Sequence, residues 1–158
     1  MQIKIRPVTE NDCYDLWIWR NHPEVRKRCF ENKEIEFDGH KRWFAEKIKD
    51  KNVKIYIAEN ENKEKLGQVR FEIKDKKAYI NVNLNPLFIG KGQGKKIIKM
   101  ATEFFLKKNK NVEEVQADII KENFSSQKVF EKGDYIITGG GRKKNHEVVI
   151  MTYKRITN

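Results

Sequence analysis

Residues Pro86 to Ala101 read PLFIGKGQGKKIIKMA: three glycines (Gly90, Gly92, Gly94) and the lysines Lys95 and Lys96 stand at the mouth of an apolar-periodic segment. A helix start presents unpaired N–H groups and a partial positive charge, and glycine lets a ligand come close to the backbone. The chemistry this pattern suits is capture of an anion, a phosphate first of all. The spacing excludes a P-loop, because Lys96 follows Gly94-Lys95 and no glycine stands five residues before Gly94. It also excludes a dinucleotide fingerprint, since the loop reads G-x-G-x-G and follows a late strand. A glycine-rich turn without a ligand is the plain alternative.

The elements around this loop follow from periodicity. Ile3 to Arg6 alternates as a strand, and Thr9 precedes a helix over Asn11 to Arg20. His22-Pro23 breaks that helix, and a second helical piece runs from Pro23 to Phe30. Asp38 is the expected N-cap of a third helix from Gly39 to Lys49. The period then changes to two: Val53 to Glu59, Lys65 to Ile73 and Ala78 to Leu84 read as strands. In the last of these Ala78, Ile80, Val82 and Leu84 share one face, with Tyr79, Asn81 and Asn83 on the other. The helix after the glycine loop runs from Gly94 to Lys108, with Ile97, Ile98, Ala101, Phe104 and Phe105 as its buried stripe. Val112 to Ile119 is a strand and Asn123 to Lys132 a helix, with Gly133 or a left-handed Asp134 as its cap. Strands Tyr135 to Thr138 and Val148 to Lys154 flank GGGRKKNHE. The expected fold is mixed α/β, with a largely antiparallel central sheet, one right-handed crossover and flanking helices.

The chain has 158 residues, one domain (1–158) by length, with no repeat or linker. No apolar run resembles a signal peptide or a membrane span. The two cysteines, Cys13 and Cys29, lack metal-ligand spacing and suit a reducing compartment, so the cytoplasm is the expected location, without membrane or metal. The net charge of +11 is spread over nearly every segment, which reads as a lysine-rich surface more than a nucleic-acid stripe. Nucleic acid is thus a disfavoured partner, an acidic small molecule a favoured one, and a homodimer is admitted.

The glycine loop between a strand and a helix resembles the acyl-coenzyme A pyrophosphate loop of the GNAT acetyltransferase superfamily. ENFSSQKVFEKGDY resembles that superfamily's second signature, with Asn123, Ser126, Phe130, Glu131, Lys132 and Tyr135 in register. The resemblance implies the GNAT acyl-CoA N-acyltransferase fold and acetyl-CoA as co-substrate. It places the cofactor along Val82 and Leu84 of the strand and along Ile89, Gly90, Lys91, Gly92, Gly94 and Lys95 of the loop. From the second signature it adds Asn123, Ser126, Phe130 and Lys132. Ile89 stands where the superfamily usually has Gln or Arg, leaving backbone donors. Phe130 stands where many members have a proton-donating tyrosine.

The N-terminal segment WRNHPEVRKRCFENKEIEFDGHKRWF is similar to one branch of the superfamily. That branch acetylates the 4-amino group of a UDP-linked 4-amino-4,6-dideoxy sugar on the route to pseudaminic acid. Carried over by position, the resemblance implies an acceptor pocket of Arg20, Cys29, Phe30, His40 and Trp43. Aromatic rings suit a uracil, and Arg20, Arg26 or Arg28 suit a diphosphate; equally, Trp17, Trp19 and Trp43 at helical spacing suit a core. The implied catalytic set is Ser126 as proton donor with Tyr79 in reserve, and Asp118 or His40 as base. A ribosomal-protein type N-terminal acetyltransferase shares the N-x-x-S pattern. A non-catalytic binder of acyl-CoA or nucleic acid is the alternative of another class.

Overall fold

The computed structural model describes residues 2–156. Seven strands form one sheet in the order β1-β2-β3-β4-β5-β7-β6. They are β1 (Ile3–Pro7), β2 (Val53–Asn60), β3 (Lys65–Lys74), β4 (Lys77–Leu84), β5 (Glu114–Ile120), β6 (Ile136–Lys143) and β7 (His146–Lys154). Every pairing is antiparallel except β4 with β5. The helices are α1 (Cys13–Asn21), α2 (Pro23–Arg26), α3 (Phe37–Lys47), α4 (Gly94–Lys108) and α5 (Phe124–Lys132). The expected mixed, largely antiparallel architecture is the one observed.

Strand register decides what each face carries. On one face Tyr56, Val69 and Val82 stand side by side, as do Phe71 and Ile80. Helix α4 covers this face with the stripe expected of it, Ile97, Ile98, Ala101 and Phe105, and Phe105 stacks on Phe71 at 4.2 Å. Buried Thr102 Oγ1 and Tyr135 Oη are hydrogen-bonded at 2.7 Å, tying α4 to the exit of α5. On the opposite face Val53, Ile55 and Ile57 of β2 pack with Leu16, Trp19 and Phe44 from α1 and α3. Next to those apolar residues, in register, come Gln68, Arg70 and Glu72 of β3, then Asn83, Asn81 and Tyr79 of β4. Helices α1 and α3 therefore seal β2 apolarly and leave a polar floor beside it.

Most element bounds shift by a residue or two from the sequence reading, and three shifts have a visible cause. Helix α3 begins at Phe37 with Glu36 at its N-cap, not at Asp38. Phe37 packs edge-on to Trp17 at 5.2 Å and to Tyr14 at 6.0 Å, and that burial outweighs a capping side chain. Helix α2 ends at Arg26, because the chain then turns toward β7, where His146 Nε2 meets the Phe30 carbonyl at 3.0 Å. Strand β6 runs through Gly139-Gly140-Gly141 to Lys143, since β7 pairs with it on both sides of an irregularity between Ile137 and Gly139, and Lys144 and Asn145 close the turn with φ of 46° and 67°. After α5, of the two caps the sequence admits, Asp134 takes the left-handed position with φ 73°.

Candidate active site

Strands β4 and β5 pair only over Lys77–Tyr79 and Glu114–Gln116. Beyond Tyr79 and Gln116 they part, and the gap between Ile80–Leu84 and Ala117–Ile120 opens into a cleft of about 480 Å³. A strand that loses its neighbour leaves backbone N–H and C=O groups seeking partners. These are the donors and acceptors an amide-bearing ligand uses.

One end of the cleft is the glycine loop. Gly90 and Gly92 have φ of 78° and 76°, and a Cβ built on either meets nothing within 4 Å. The space above the loop is open, and only glycine adopts this backbone without strain. Helix α4 begins directly after it with no acidic residue in its first turn, so nothing offsets the positive end of its dipole. Buried Gln93 Oε1 lacks a hydrogen-bond partner among the described residues. The loop thus fits a pyrophosphate on backbone donors alone, as Ile89 requires. Gly94 has a different reason to be glycine: a Cβ there would lie 3.0 Å from Val129 Cγ1, so its absence lets α4 and α5 approach.

Asn123, Ser126, Val129 and Phe130 of α5 line the same cleft, opposite β4. Asn123 is the N-cap of α5: its Oδ1 accepts from Ser126 N at 3.2 Å. That bond presents Ser126 one turn into the helix. Phe130 is buried edge-on against Tyr135 at 5.1 Å. Asp118 enters from β5; its Oδ1 accepts from Gln116 Nε2 at 2.7 Å, and Lys143 Nζ lies 3.4 Å from Oδ2.

The other end of the cleft is cationic. Arg20, Arg28, Arg70 and Lys144 line it beside Cys29, Phe30 and Glu31. Phe30 and Glu31 are strapped to the β6–β7 hairpin. Lys144 Nζ meets Glu31 at 3.1 Å, and Lys143 Nζ sits 4.8 Å from the Phe30 ring centroid. Burial pushes the Cys29 thiol up, against the pull of Arg20 and Arg70.

The structure brings together Val82, Leu84, Ile89, Gly90, Gly94, Asn123, Ser126, Phe130 and Asp118 with Arg20, Cys29 and Phe30. Lys91, Gly92, Lys95 and Lys132 do not line the cleft; Lys95 and Lys132 form an outer lysine depression with Lys96 and Lys99. Three further expectations are corrected. Tyr79, the reserve donor, belongs to the still-paired part of β4, and Lys74 Nζ covers its ring at 5.5 Å. His40, a candidate base, is buried against Trp43 and Phe44, and its Nε2 donates to the Cys13 carbonyl at 3.0 Å. Burial holds its pKa below the usual histidine value. It ties α3 to α1. Trp43 stands behind Arg70, its ring centroid 5.0 Å from the guanidinium carbon, and is not itself a lining residue.

Sequence reasoning missed Arg70, Asn81, Asn83, Glu31 and Lys144. A signal existed for the first three: Gln68-Arg70-Glu72 and Tyr79-Asn81-Asn83 are polar alternations on strands whose other face is apolar.

The geometry agrees with what comparison with known proteins finds. The family model described as "Acetyltransferase (GNAT) domain" matches residues 2–135. The chain belongs to the GNAT acetyltransferase family. It is thereby an acetyltransferase domain with acetyl-CoA as co-substrate. An aminoglycoside acetyltransferase, AAC(6')-Ib, solved with coenzyme A and kanamycin, shares the fold at a TM-score of 0.84 and 20% identity, over 98% of this chain and 95% of that one. A Vibrio cholerae spermidine N-acetyltransferase solved with CoA and spermine does so at 0.85 and 18%, over 97% and 95%. A curated relative, Uncharacterized protein MJ1062 of Methanocaldococcus jannaschii, is 26% identical over 145 residues. The match takes in 90% of this chain but spans only 30% of that relative's length. No helix among the described residues is long and apolar enough to cross a membrane.

Proposed function

We propose that this domain moves the acetyl group of acetyl-CoA to the 4-amino group of a UDP-linked amino-dideoxy sugar, as in pseudaminic-acid-type nucleotide-sugar synthesis. The observation that carries the reading is the acceptor end of the cleft, where Arg20, Arg28 and Lys144 surround Phe30. A nucleoside diphosphate brings a flat base for the ring and negative charge for the cations. Aminoglycosides and spermine, the acceptors of the structural neighbours, carry amines that are cationic at neutral pH and meet repulsion there.

Each reactant then has its holder. Backbone amides from Gly90 to Lys95 take the coenzyme A pyrophosphate, and Asn123 holds the pantetheine arm. The freed backbone N–H groups of β4 beyond Tyr79 stabilise the oxyanion. The sugar amine attacks the thioester carbonyl; a C–N bond forms and the C–S bond breaks. Asp118 takes the proton from the attacking nitrogen through a water, and Ser126 supplies one to the departing thiolate. Both line the cleft.

Acetylation rates with the 4-amino UDP-sugar, the sugar lacking UDP, spermidine, kanamycin and a panel of peptides test the reading. Loss of UDP should remove most of kcat/KM. Equal rates with and without the nucleotide, or preference for a peptide, overturn it.

A further inference from the structure

Arg70 is the residue of the cleft that neither the glycine-loop nor the N-terminal pattern singles out, and its environment is unusual. It stands on β3 directly opposite Asn81 in the ladder, with Ile55 on its other side. Among the described residues its one carboxylate partner is Glu72, whose Oε2 lies 3.6 Å from Nε, an ion pair longer than a hydrogen bond. Glu72 is engaged elsewhere, with Lys47 Nζ at 2.8 Å from Oε1. Arg70 Nε is consequently buried with no hydrogen-bond partner among the described residues. Arg20 has the same defect: Nη2 donates to the Glu31 carbonyl at 2.7 Å, while Nη1 is buried and unpartnered. Both arginines line the cleft together with Cys29.

Arg70, Arg20 and Lys47 have one side-chain carboxylate among them, that of Glu72, so this wall keeps a net positive charge and idle donors that lost hydration without full recompense. A fold keeps such a wall where a ligand supplies the missing charge and acceptors. A carboxylate brings one charge and leaves the other guanidinium uncompensated. A phosphate or diphosphate brings enough charge for both, with oxygens that accept from several N–H groups at once. Asn81 adds to this: its Oδ1 accepts from Gln68 Nε2 at 3.2 Å, which leaves its amide nitrogen as a donor toward the cleft.

We infer that Arg70 and Arg20 form a two-guanidinium seat for a phosphate group of the acceptor, separate from the glycine-loop phosphate site, and that Arg70 determines acceptor specificity. The inference rests on reading this end of the cleft as the acceptor pocket; the phosphate chemistry itself rests on the two arginines and their unpartnered N–H groups. Glu72 and Lys47 act behind the seat: Lys47 takes Glu72 Oε1 at 2.8 Å, so that the carboxylate is shared and Arg70 keeps N–H groups for a ligand.

Inorganic pyrophosphate is the probe, titrated calorimetrically into the full chain already saturated with coenzyme A, so that the glycine loop is filled. Binding is expected in the wild type and about 10- to 100-fold weaker in Arg70→Gln, the worth of a charge-assisted hydrogen bond. Arg70→Lys should retain part of the affinity, and Glu72→Gln should not weaken it. Coenzyme A affinity, unchanged in all three, reports that the fold is intact. Absence of pyrophosphate binding in the saturated wild type, or equal affinity in Arg70→Gln, overturns the inference. The two readings fail separately. Arg70-dependent pyrophosphate binding without activity on a UDP-sugar removes the acceptor assignment and keeps the seat. Activity on the UDP-sugar with an unaltered acceptor KM in Arg70→Gln removes the seat and keeps the acceptor.

Discussion

Gly92→Val separates ligand geometry from fold stability. The residue sits at φ 76° with open space where a Cβ would go, so the penalty of a side chain there is chiefly conformational. A left-handed L-residue costs about 1–2 kcal/mol, and a β-branched one stands at the upper end. The loop is exposed and relieves that strain by relaxing toward negative φ. Relaxation turns peptide N–H groups away from the pyrophosphate. Each charge-assisted bond lost is worth about 1.5–3 kcal/mol, so two lost bonds weaken acetyl-CoA by roughly 100-fold or more. Stability without ligand should fall by no more than about 2 kcal/mol. Calorimetric titration with coenzyme A, paired with urea unfolding of the ligand-free protein, measures both. Gly141→Val is the control: its Cβ space is equally open, but its φ is not positive, and coenzyme A affinity should stay at the wild-type value. Wild-type affinity in Gly92→Val would falsify the assignment of the loop as the phosphate holder.

Ser126→Ala should lower kcat by about 10-fold or more while leaving acetyl-CoA affinity nearly unchanged. Steady-state kinetics with a pre-steady-state burst check this, and an unaltered kcat excludes Ser126 as the acid. Tyr79→Phe should keep wild-type kcat, because its hydroxyl lies outside the cleft; a slow Tyr79→Phe enzyme would reverse that placement. Acid stability should depend on Asp12, a buried carboxylate that Arg6 and Lys65 both contact at 2.9 Å. Burial pushes its pKa up, but hydrogen bonds from Arg6, Lys65 and the Thr9 backbone outweigh burial and hold it well below the ordinary value of 3.8. A depressed folded pKa contributes stability that is complete above the unfolded value and lost as pH falls through and below it. Asp12→Asn should therefore cost roughly 1–3 kcal/mol at pH 7, with the gap to wild type closing below pH 3.8 in urea unfolding curves. A gap independent of pH would show that the charge of Asp12 contributes nothing.

Local physics made much of the molecule readable in the chain. The stripe of α4, with Ile97, Ile98, Ala101 and Phe105 recurring at helical spacing, needed no partner to be recognised, and α4 has the bounds its pattern gives. Gly90 and Gly92 announced a backbone that other residues resist, and Asn123 announced a helix start; each is a property of a few adjacent residues. The acceptor wall was not readable that way. Arg70 reaches it because β3 pairs with β2 and β4 in one register, and a slip of one residue would carry it to the opposite face. His40 and Trp43 lie in a segment rich in binding residue types, yet the packing of α3 on α1 and β3 turns one to the Cys13 carbonyl and sets the other behind Arg70. The triple glycine of β6 looks like a loop until β7 supplies a ladder beside it. The cleft exists because β4 and β5 part after three paired residues, a relation between segments more than thirty positions apart. Periodicity and turn chemistry act between neighbours in the chain and so are written in its order; register, strand divergence and the aim of a buried side chain are set by contacts between distant segments, which only the folded structure brings together.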